Sequence, residues 1–540
     1  MLLESRPSVS RKQILICVVA SLVLRTFGAI TPALAGTCEG TAELHARIGA
    51  ELARANNLSG AEAEFRCAAQ LSPHSPLYLS ALARILGAEQ KTAEARDYFD
   101  RASREDPYDT TLRRELAVKQ WQLDEFALAQ TNLEQVLRLD PGDRIAVLLL
   151  GMVQEGRRAY REAARTLNSV PELLREHPEA VIALARSYFG IGQPEKGREA
   201  LAGLVTARCD PRQVFAAALV ASRANQYDIA EKLFHSIRST YPDRETLEYN
   251  LALVAYRSER LEQSAHILRE LIRAGAGNGD VYSLLGWCYQ KQHRSAEAVH
   301  AFEQAIRRDP DNELTYLDLA TLLEDSGRLK AGLAVVKAAL DRLPRSSRLW
   351  EMRGRIEVRT EQYQEAVTSY AEAIRLAPDS PEAHLGQAIA LSSAGRIPQA
   401  RAAFENGIQH FPRYARFHQE YGLMLLREAE SGRLEDGQRA AALLESALAL
   451  DETLAESHFQ LGKLALSAGN IDAALNHFLR AVALNPTGSK IHYALANLYR
   501  RLGKLEEAAA EIRTFEKLKY EETAASAIKA AETPARAKSR

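Results

Sequence analysis

The chain has 540 residues, with 69 Lys and Arg against 70 Asp and Glu, for a formal net charge of −1. A composition that is 46% hydrophobic and 26% charged excludes wholesale disorder and a polytopic membrane protein. The charge balance argues against a nucleic-acid binder, which carries a strongly basic domain or stripe. Pro (19), Gly (30) and aromatic residues (7%) are scarce beside Ala, Leu, Glu and Arg. The latter lose little rotamer freedom in a helical turn, so composition predicts an all-α protein.

The first segment, 1–35, reads as an export signal. Arg6, Arg11 and Lys12 precede the mostly apolar run Ile14 to Leu24, and Ala33-Leu34-Ala35 supplies an A-x-A cleavage pattern. That run covers only about 16 Å as a helix, roughly half a bilayer core, and Arg25 interrupts it. A cleaved signal is therefore favoured, with an uncleaved anchor as the alternative. Both place the rest of the chain outside the cytoplasm, periplasmic or secreted. Beyond the signal stand Cys38, Cys67, Cys209 and Cys288. Small buried hydrophobes are the favoured reading of all four, but an oxidising compartment would allow Cys38 to bond Cys67.

From residue 42 a period of 34 takes over. Pro73, Pro107 and Pro141 are spaced by it, as are Pro310, Pro344, Pro378 and Pro412. A small and a bulky residue precede the proline in fixed register: Ala95/Phe99/Pro107, Ala298/Phe302/Pro310, Ala366/Tyr370/Pro378 and Ala474/Phe478/Pro486. The first half of each period carries Tyr282…Leu285-Gly286…Tyr289 and weaker copies such as His458…Leu461-Gly462.

These residues match W-x2-L-G-x2-Y…A-x3-F…A…P, and the chain resembles a tetratricopeptide-repeat protein. The resemblance spans 42–522 as about fourteen repeats, beginning at 42, 76, 110, 144, 178, 211, 245, 279, 313, 347, 381, 415, 455 and 489. It implies a right-handed α-solenoid of stacked antiparallel helix pairs, because no pair buries its apolar face alone. The solenoid domain is expected over 36–522, followed at 523–540 by the end of a capping helix and a disordered tail. Repeats 144 to 245 are the most degenerate: Arg175 and Ala276 stand where prolines are expected. The glycine-rich stretch 275–280 reads as a lengthened turn, and six extra residues in 430–438 as a longer loop inside the 415 repeat.

Catalytic and metal signatures are missing from the sequence. There is no H-E-x-x-H, C-x-x-C, G-x-S-x-G or phosphate-binding loop. His384, His418, His458 and His492 form a ladder one repeat apart, in the slot held elsewhere by Tyr282 and Trp350. They read as polar-tipped rings filling an aromatic slot. With helix pairs using nearly every residue, neither an enzyme nor a cofactor is expected.

In the family, the first helix of each pair lines a concave groove, and positions 2, 5, 9, 12 and 13 of each repeat face it. The resemblance therefore selects Arg186, Phe189, Arg212, Phe215, Arg223, Tyr249, Tyr256, Arg257, Trp287 and Lys291 as a candidate peptide-binding surface. Rigid aromatics beside guanidinium forks are the composition of binding hot spots. A weaker cluster comprises Arg427, Phe459, Lys463, Tyr493, Asn497, Arg500 and Arg501. The carboxylate clamp of some relatives is only partly matched, since Asn250 is followed by Asp280 and Leu284 where cations should stand.

The functional expectation is a non-catalytic scaffold that binds a protein or peptide partner in a bacterial envelope or secretion process. The alternatives are a self-assembling structural element or an accessory subunit of an envelope enzyme complex, such as a glycan synthase or protease. No nucleic-acid partner is expected, and membrane contact only through an uncleaved anchor.

Overall fold

Each period of 34 encodes two helices and two stops. The first helix typically runs 13 residues, as in Pro76–Ala88, Gly279–Lys291 and Ser347–Arg359. It ends where one residue turns left-handed: Asn56, Gln90, Asp124, Arg158, Gly192, Asn225, Glu259, His293, Gly327, Glu361 and Gly395 recur at this point. The amide of the residue after it then bonds back five residues, as Asn57 to Leu52 (2.9 Å) and Lys91 to Leu86 (2.9 Å), closing a Schellman turn. The second helix stops before the periodic proline, which has no N–H to continue the ladder. Asp109, Asp143, Asn312, Ser346 and Ser380 cap the next helix by accepting from its first free amides.

A computed structural model describes residues 38–206, 209–430 and 435–531. Among them all regular structure is helical, and the helices stack as antiparallel pairs. First helices begin at Ala42, Pro76, Thr110, Arg144, Pro178, Pro211, Arg244, Gly279, Glu313, Ser347, Pro381, Ala415, Ala455 and Ser489, within one residue of the expected starts. The chain divides into two units, one ending at Leu271 and the other starting at Ile272. The expected export signal lies outside the described residues, as does the tail beyond Ala531. No helix among the described residues is long and apolar enough to cross a membrane.

Within a pair, a glycine on the first helix faces a bulky ring or leucine 16 residues later. A Cβ on Gly286 would lie 2.8 Å from the Phe302 ring, one on Gly462 2.7 Å from Phe478, and one on Gly151 2.6 Å from Leu167. In the 415 repeat the equivalent partners, Gly422 and Leu444, are 22 residues apart, which locates the six extra residues between them. Those residues were expected to lengthen a loop. Five of the six are taken up in helix, since Ala415–Glu430 and Glu435–Leu450 run to 16 residues each against the usual 13 and 14.

Three of the four degenerate repeats keep their first helices and shorten their second ones: Tyr160–Asn168, Pro194–Ala202 and Tyr227–Ser236 span only nine or ten residues, whereas Leu261–Arg273 in the 245 repeat keeps 13. In the 144 repeat the proline has moved upstream to Pro171, which ends the helix early and starts a four-residue turn, Pro171–Leu174. At the start of the first unit Cys38 is bonded to Cys67 (Cα–Cα 5.2 Å), tying the chain before Ala42–Arg54 to the helix Leu58–Leu71. Cys209 and Cys288 are not joined in a disulfide, and Cys288 is buried.

Candidate functional site

First-helix positions 9, 6 and 12 meet across neighbouring repeats at a step of 31 residues, one helical turn short of the period. Arg84 Nε reaches Glu115 (3.0 Å) and Arg186 Nη2 reaches Glu155 (3.3 Å). Glu324, only 4% exposed, accepts Arg355 (2.8 Å) and Arg359 (3.0 Å) together. Trp287 Nε1 donates to Asp318 Oδ2 at 2.9 Å. Burial raises the Asp318 carboxyl to about 6, against the pull of that hydrogen bond. These links join repeats laterally, which is the role their burial suits. Sequence reasoning missed them, although oppositely charged residues 31 apart at these positions were a readable signal.

A second missed device uses position 4. Arg113, Tyr316, Trp350, His384 and His492 each place a donor tip 3.0–3.1 Å from the carbonyl of the proline six residues earlier. Two members of the histidine ladder, His384 and His492, therefore also close the turn between repeats. Their ring orientations follow from these hydrogen bonds. His458 instead faces His477 (Nδ1 to Nδ1 3.0 Å), and burial pushes both rings below the usual histidine range. Among the described residues no group of three or more His, Cys, Asp or Glu is placed to hold a metal.

The expected binding residues part company in this frame. Phe215 is 3% exposed and belongs to the core, stacked on Tyr241 at 4.5 Å and edge-on to Phe234 at 5.3 Å. It offers a ligand nothing, because its ring is buried against Phe234 of its own second helix. Phe189 packs over Gly197 of its own repeat, where a Cβ would lie 2.3 Å from the ring. Arg186 is committed to Glu155 and Trp287 to Asp318. Trp287 and Lys291 lie in the second unit, the other eight residues in the first.

What remains at the surface of the first unit is narrower. Arg212 and Arg223, on Pro211–Arg223, are exposed; Tyr249, Tyr256 and Arg257, on Arg244–Arg257, are half-buried. Half-buried Leu219 and Leu253 lie on the same two helices. In the weaker cluster Phe459 packs on Phe478 (6.0 Å) under Lys463 (5.9 Å), and Tyr493 leans on Phe515 (5.2 Å) while 48% exposed. Asn497 is half-buried, and Arg427, Arg500 and Arg501 are exposed. In the 381 and 415 repeats a cleft of about 550 Å³ is lined by Glu405, His418, Tyr421, Arg439 and Leu443 among others. Glu405 is already held there by Arg439 (2.6 Å) and the Tyr421 hydroxyl (2.9 Å).

Family models described as tetratricopeptide repeat match residues 114–180, 215–279, 317–381 and 459–518, with further matches at 358–420 and 279–312, together more than half of the chain. The chain is 24% identical over 307 residues to BBSome complex member BBS4 of Bos taurus, covering 50% of this chain and 59% of that one. To a TPR repeat-containing protein of Treponema pallidum it is 26% identical over 347 residues, 62% and 40% of the respective chains. The mitochondrial import receptor subunit TOM70 of Homo sapiens is 23% identical over 197 residues, 30% of this chain and 32% of that one. The chain thus spans less than two thirds of these relatives' own lengths. Among solved structures, the anaphase-promoting complex hetero-tetramer Cut9-Hcn1 aligns with 88% of this chain and 94% of its own at 15% identity and a TM-score of 0.36.

Proposed function

We propose, from the premise that the chain belongs to the tetratricopeptide-repeat family, that it is a non-catalytic protein-interaction scaffold. Proteins of this family generally mediate protein–protein contacts, and no enzyme family is indicated by the relatives. The observation that carries the reading is the fate of the first-helix arginines. Arg84, Arg114, Arg186, Arg348, Arg355 and Arg359 are consumed in links between repeats, whereas Arg223 and Arg257 share their two helices with half-buried Leu219, Tyr249, Leu253 and Tyr256. Such a surface suits a protein or peptide partner.

The scaffold operates outside the cytoplasm in this proposal, in an envelope or secretion process. The basic, apolar and A-x-A segments of 1–35 support export, and the Cys38–Cys67 bond suits an oxidising compartment. Two measurements test the proposal. N-terminal sequencing of the protein from its native cells, with thiol labelling of Cys38 and Cys67, should find a chain starting near residue 36 with both cysteines blocked. A full-length chain with both thiols reactive overturns export. Photo-crosslinking from Leu253 in the native compartment should yield one defined partner; absence of any crosslink from both units overturns the scaffold.

A further inference from the structure

We infer that His458 and His477 form an acid-sensitive latch: the facing rings can share one proton but cannot carry two, so acidification parts helices Ala455–Ser467 and Ile471–Leu484. The inference stands apart from the scaffold reading and concerns how one end of the second unit is held.

The register supplies its own controls. Repeat positions 4 and 23 lie on the two helices of one pair, 19 residues apart, and meet in three repeats that carry histidine at position 4. In the 42 repeat His45 Nδ1 lies 2.6 Å from Glu64, and in the 489 repeat His492 Nδ1 lies 2.5 Å from Glu511. In the 455 repeat the same positions set His458 Nδ1 3.0 Å from His477 Nδ1, with ring centroids 5.3 Å apart. His74, His177 and His235 also face carboxylates, those of Glu105, Glu179 and Glu231. A carboxylate accepts from a ring N–H whether the imidazole is neutral or charged. A second imidazole accepts only while its facing nitrogen is bare. One ring of the pair therefore donates and the other accepts. A first added proton goes to the far nitrogen of the donor ring and leaves the bond in place. A second sets N–H against N–H between two cations, and the contact is lost.

The surroundings do not stabilise a doubly charged pair. His458 is buried and His477 half-buried, and burial is the main reason both rings sit below the usual histidine range. Glu445, on Glu435–Leu450, draws His477 upward, and Glu452, in the turn before the repeat, draws His458 upward against the push of His477 and Arg480. Glu452 also lies 3.7 Å from Arg480. Ala415–Glu430 meets the first helix through neutral Gln419, which accepts from the Ser457 hydroxyl at 3.1 Å. On Ser489–Arg501, Lys490 is exposed and His492 is held by Glu511. Once the helices part, both rings take up protons at their ordinary value of 6.5. The closed form is therefore fully favoured above about pH 7 and loses ground as pH falls through 6.5. Each proton that the closed pair excludes raises the open fraction about ten-fold between roughly pH 7.5 and 5.5.

Hydrogen exchange of the full chain at about pH 7.5 and about pH 5.5, corrected for the intrinsic pH dependence of exchange, reads the open fraction. Amides of 455–467 and 471–484 should open at least about ten-fold more at the lower pH. Those of 347–359 and 363–376, a pair without histidine, should not follow. His477→Glu installs the pairing of the 42 and 489 repeats and should remove the acid step. His477→Gln places a neutral acceptor there, which a charged His458 still donates to, and should reduce the step. An open fraction in 455–484 that does not rise in the parent at the lower pH overturns the inference. So does an acid step in either folded variant as large as the parent's, since the facing imidazole would then not be its source.

Discussion

Residues 279–412 and residues 144–241 solve the same packing problem with different chain. In the former, helices of 13 and 14 residues alternate without exception. In the latter the first helices keep 13 residues while the second shrink to nine or ten. The contact once made by the lost helical turn survives. In the regular repeats position 27 is small: Ala305, Ala339, Ala373 and Gly407. In the irregular ones it is Val170, Leu204 and Ile237, none more than 5% exposed and none in an α-helix. A larger apolar side chain reaches back to the first helix from a backbone that is no longer coiled against it. What a repeat must keep is a buried apolar group at fixed register; helical backbone there is dispensable.

The largest expected effect comes from the regular side. Phe302 is fully buried against Gly286. Phe302→Ala should cost about 3–5 kcal/mol, the range for emptying a buried aromatic site, read from urea unfolding of the full chain. A cost under about 1 kcal/mol would mean that the pair collapses around the gap and that its packing is not specified. The irregular side is tested by Ile237→Ala, with an expected cost of about 2–4 kcal/mol despite the absence of helix at that residue. A neutral result there would break the comparison, since position 27 would then be slack in the short repeats. Hydrogen exchange sharpens it further. Amides of 160–168 and 194–202 should exchange faster than those of 295–308, because a shorter helix has fewer interior hydrogen bonds and frays from both ends.

The same contrast shows how far sequence carries. The 34-residue period places nearly every first helix, because Phe302, Tyr370 and Phe478 must meet a small residue and the prolines must stop the chain. The shortened helices were not legible from the missing Pro at 175 alone; Pro171, four residues earlier, was the informative residue. The binding surface was only partly legible. Periodicity tells which face a residue occupies but not whether a neighbour consumes its polar group. Arg186 and Arg223 look alike in sequence, and only the packing of Glu155 beside one of them separates their roles. Phe215 failed as a candidate for a related reason: helix register marks it as groove-facing, whereas its stacking on Tyr241 and Phe234 draws it into the core.

Links between repeats come next in size. Glu324 neutralises two arginines that are about half exposed, Glu155 one that is one-third exposed. Glu324→Gln leaves both guanidiniums beside a buried neutral amide and should cost about 1–3 kcal/mol, less than a fully buried pair because water screens the arginines. Glu155→Gln should cost less, since a single arginine loses its partner. Equal costs measured by thermal unfolding would show that the second arginine on Glu324 adds nothing.

The smallest effect, and the one with a defined pH window, belongs to Asp318. Its carboxyl is raised from 3.8 to about 6 chiefly by burial, so the folded chain holds a proton there that the unfolded chain has released. The sign follows directly. Stability from this group is fully present below about pH 4, falls as pH rises toward 6, and is flat above that. That difference corresponds to about 3 kcal/mol at 1.36 kcal/mol per pH unit, and partial solvent access reduces the usable effect to roughly 1–2 kcal/mol. Asp318→Asn keeps an oxygen for the Trp287 N–H and removes the titration. The variant should therefore be more stable than the parent by that amount at pH 7 and indistinguishable from it near pH 4. A variant less stable at pH 7 would mean that the ionised carboxylate holds Trp287 more tightly than burial opposes it, and that this link behaves like the arginine–glutamate pairs beside it.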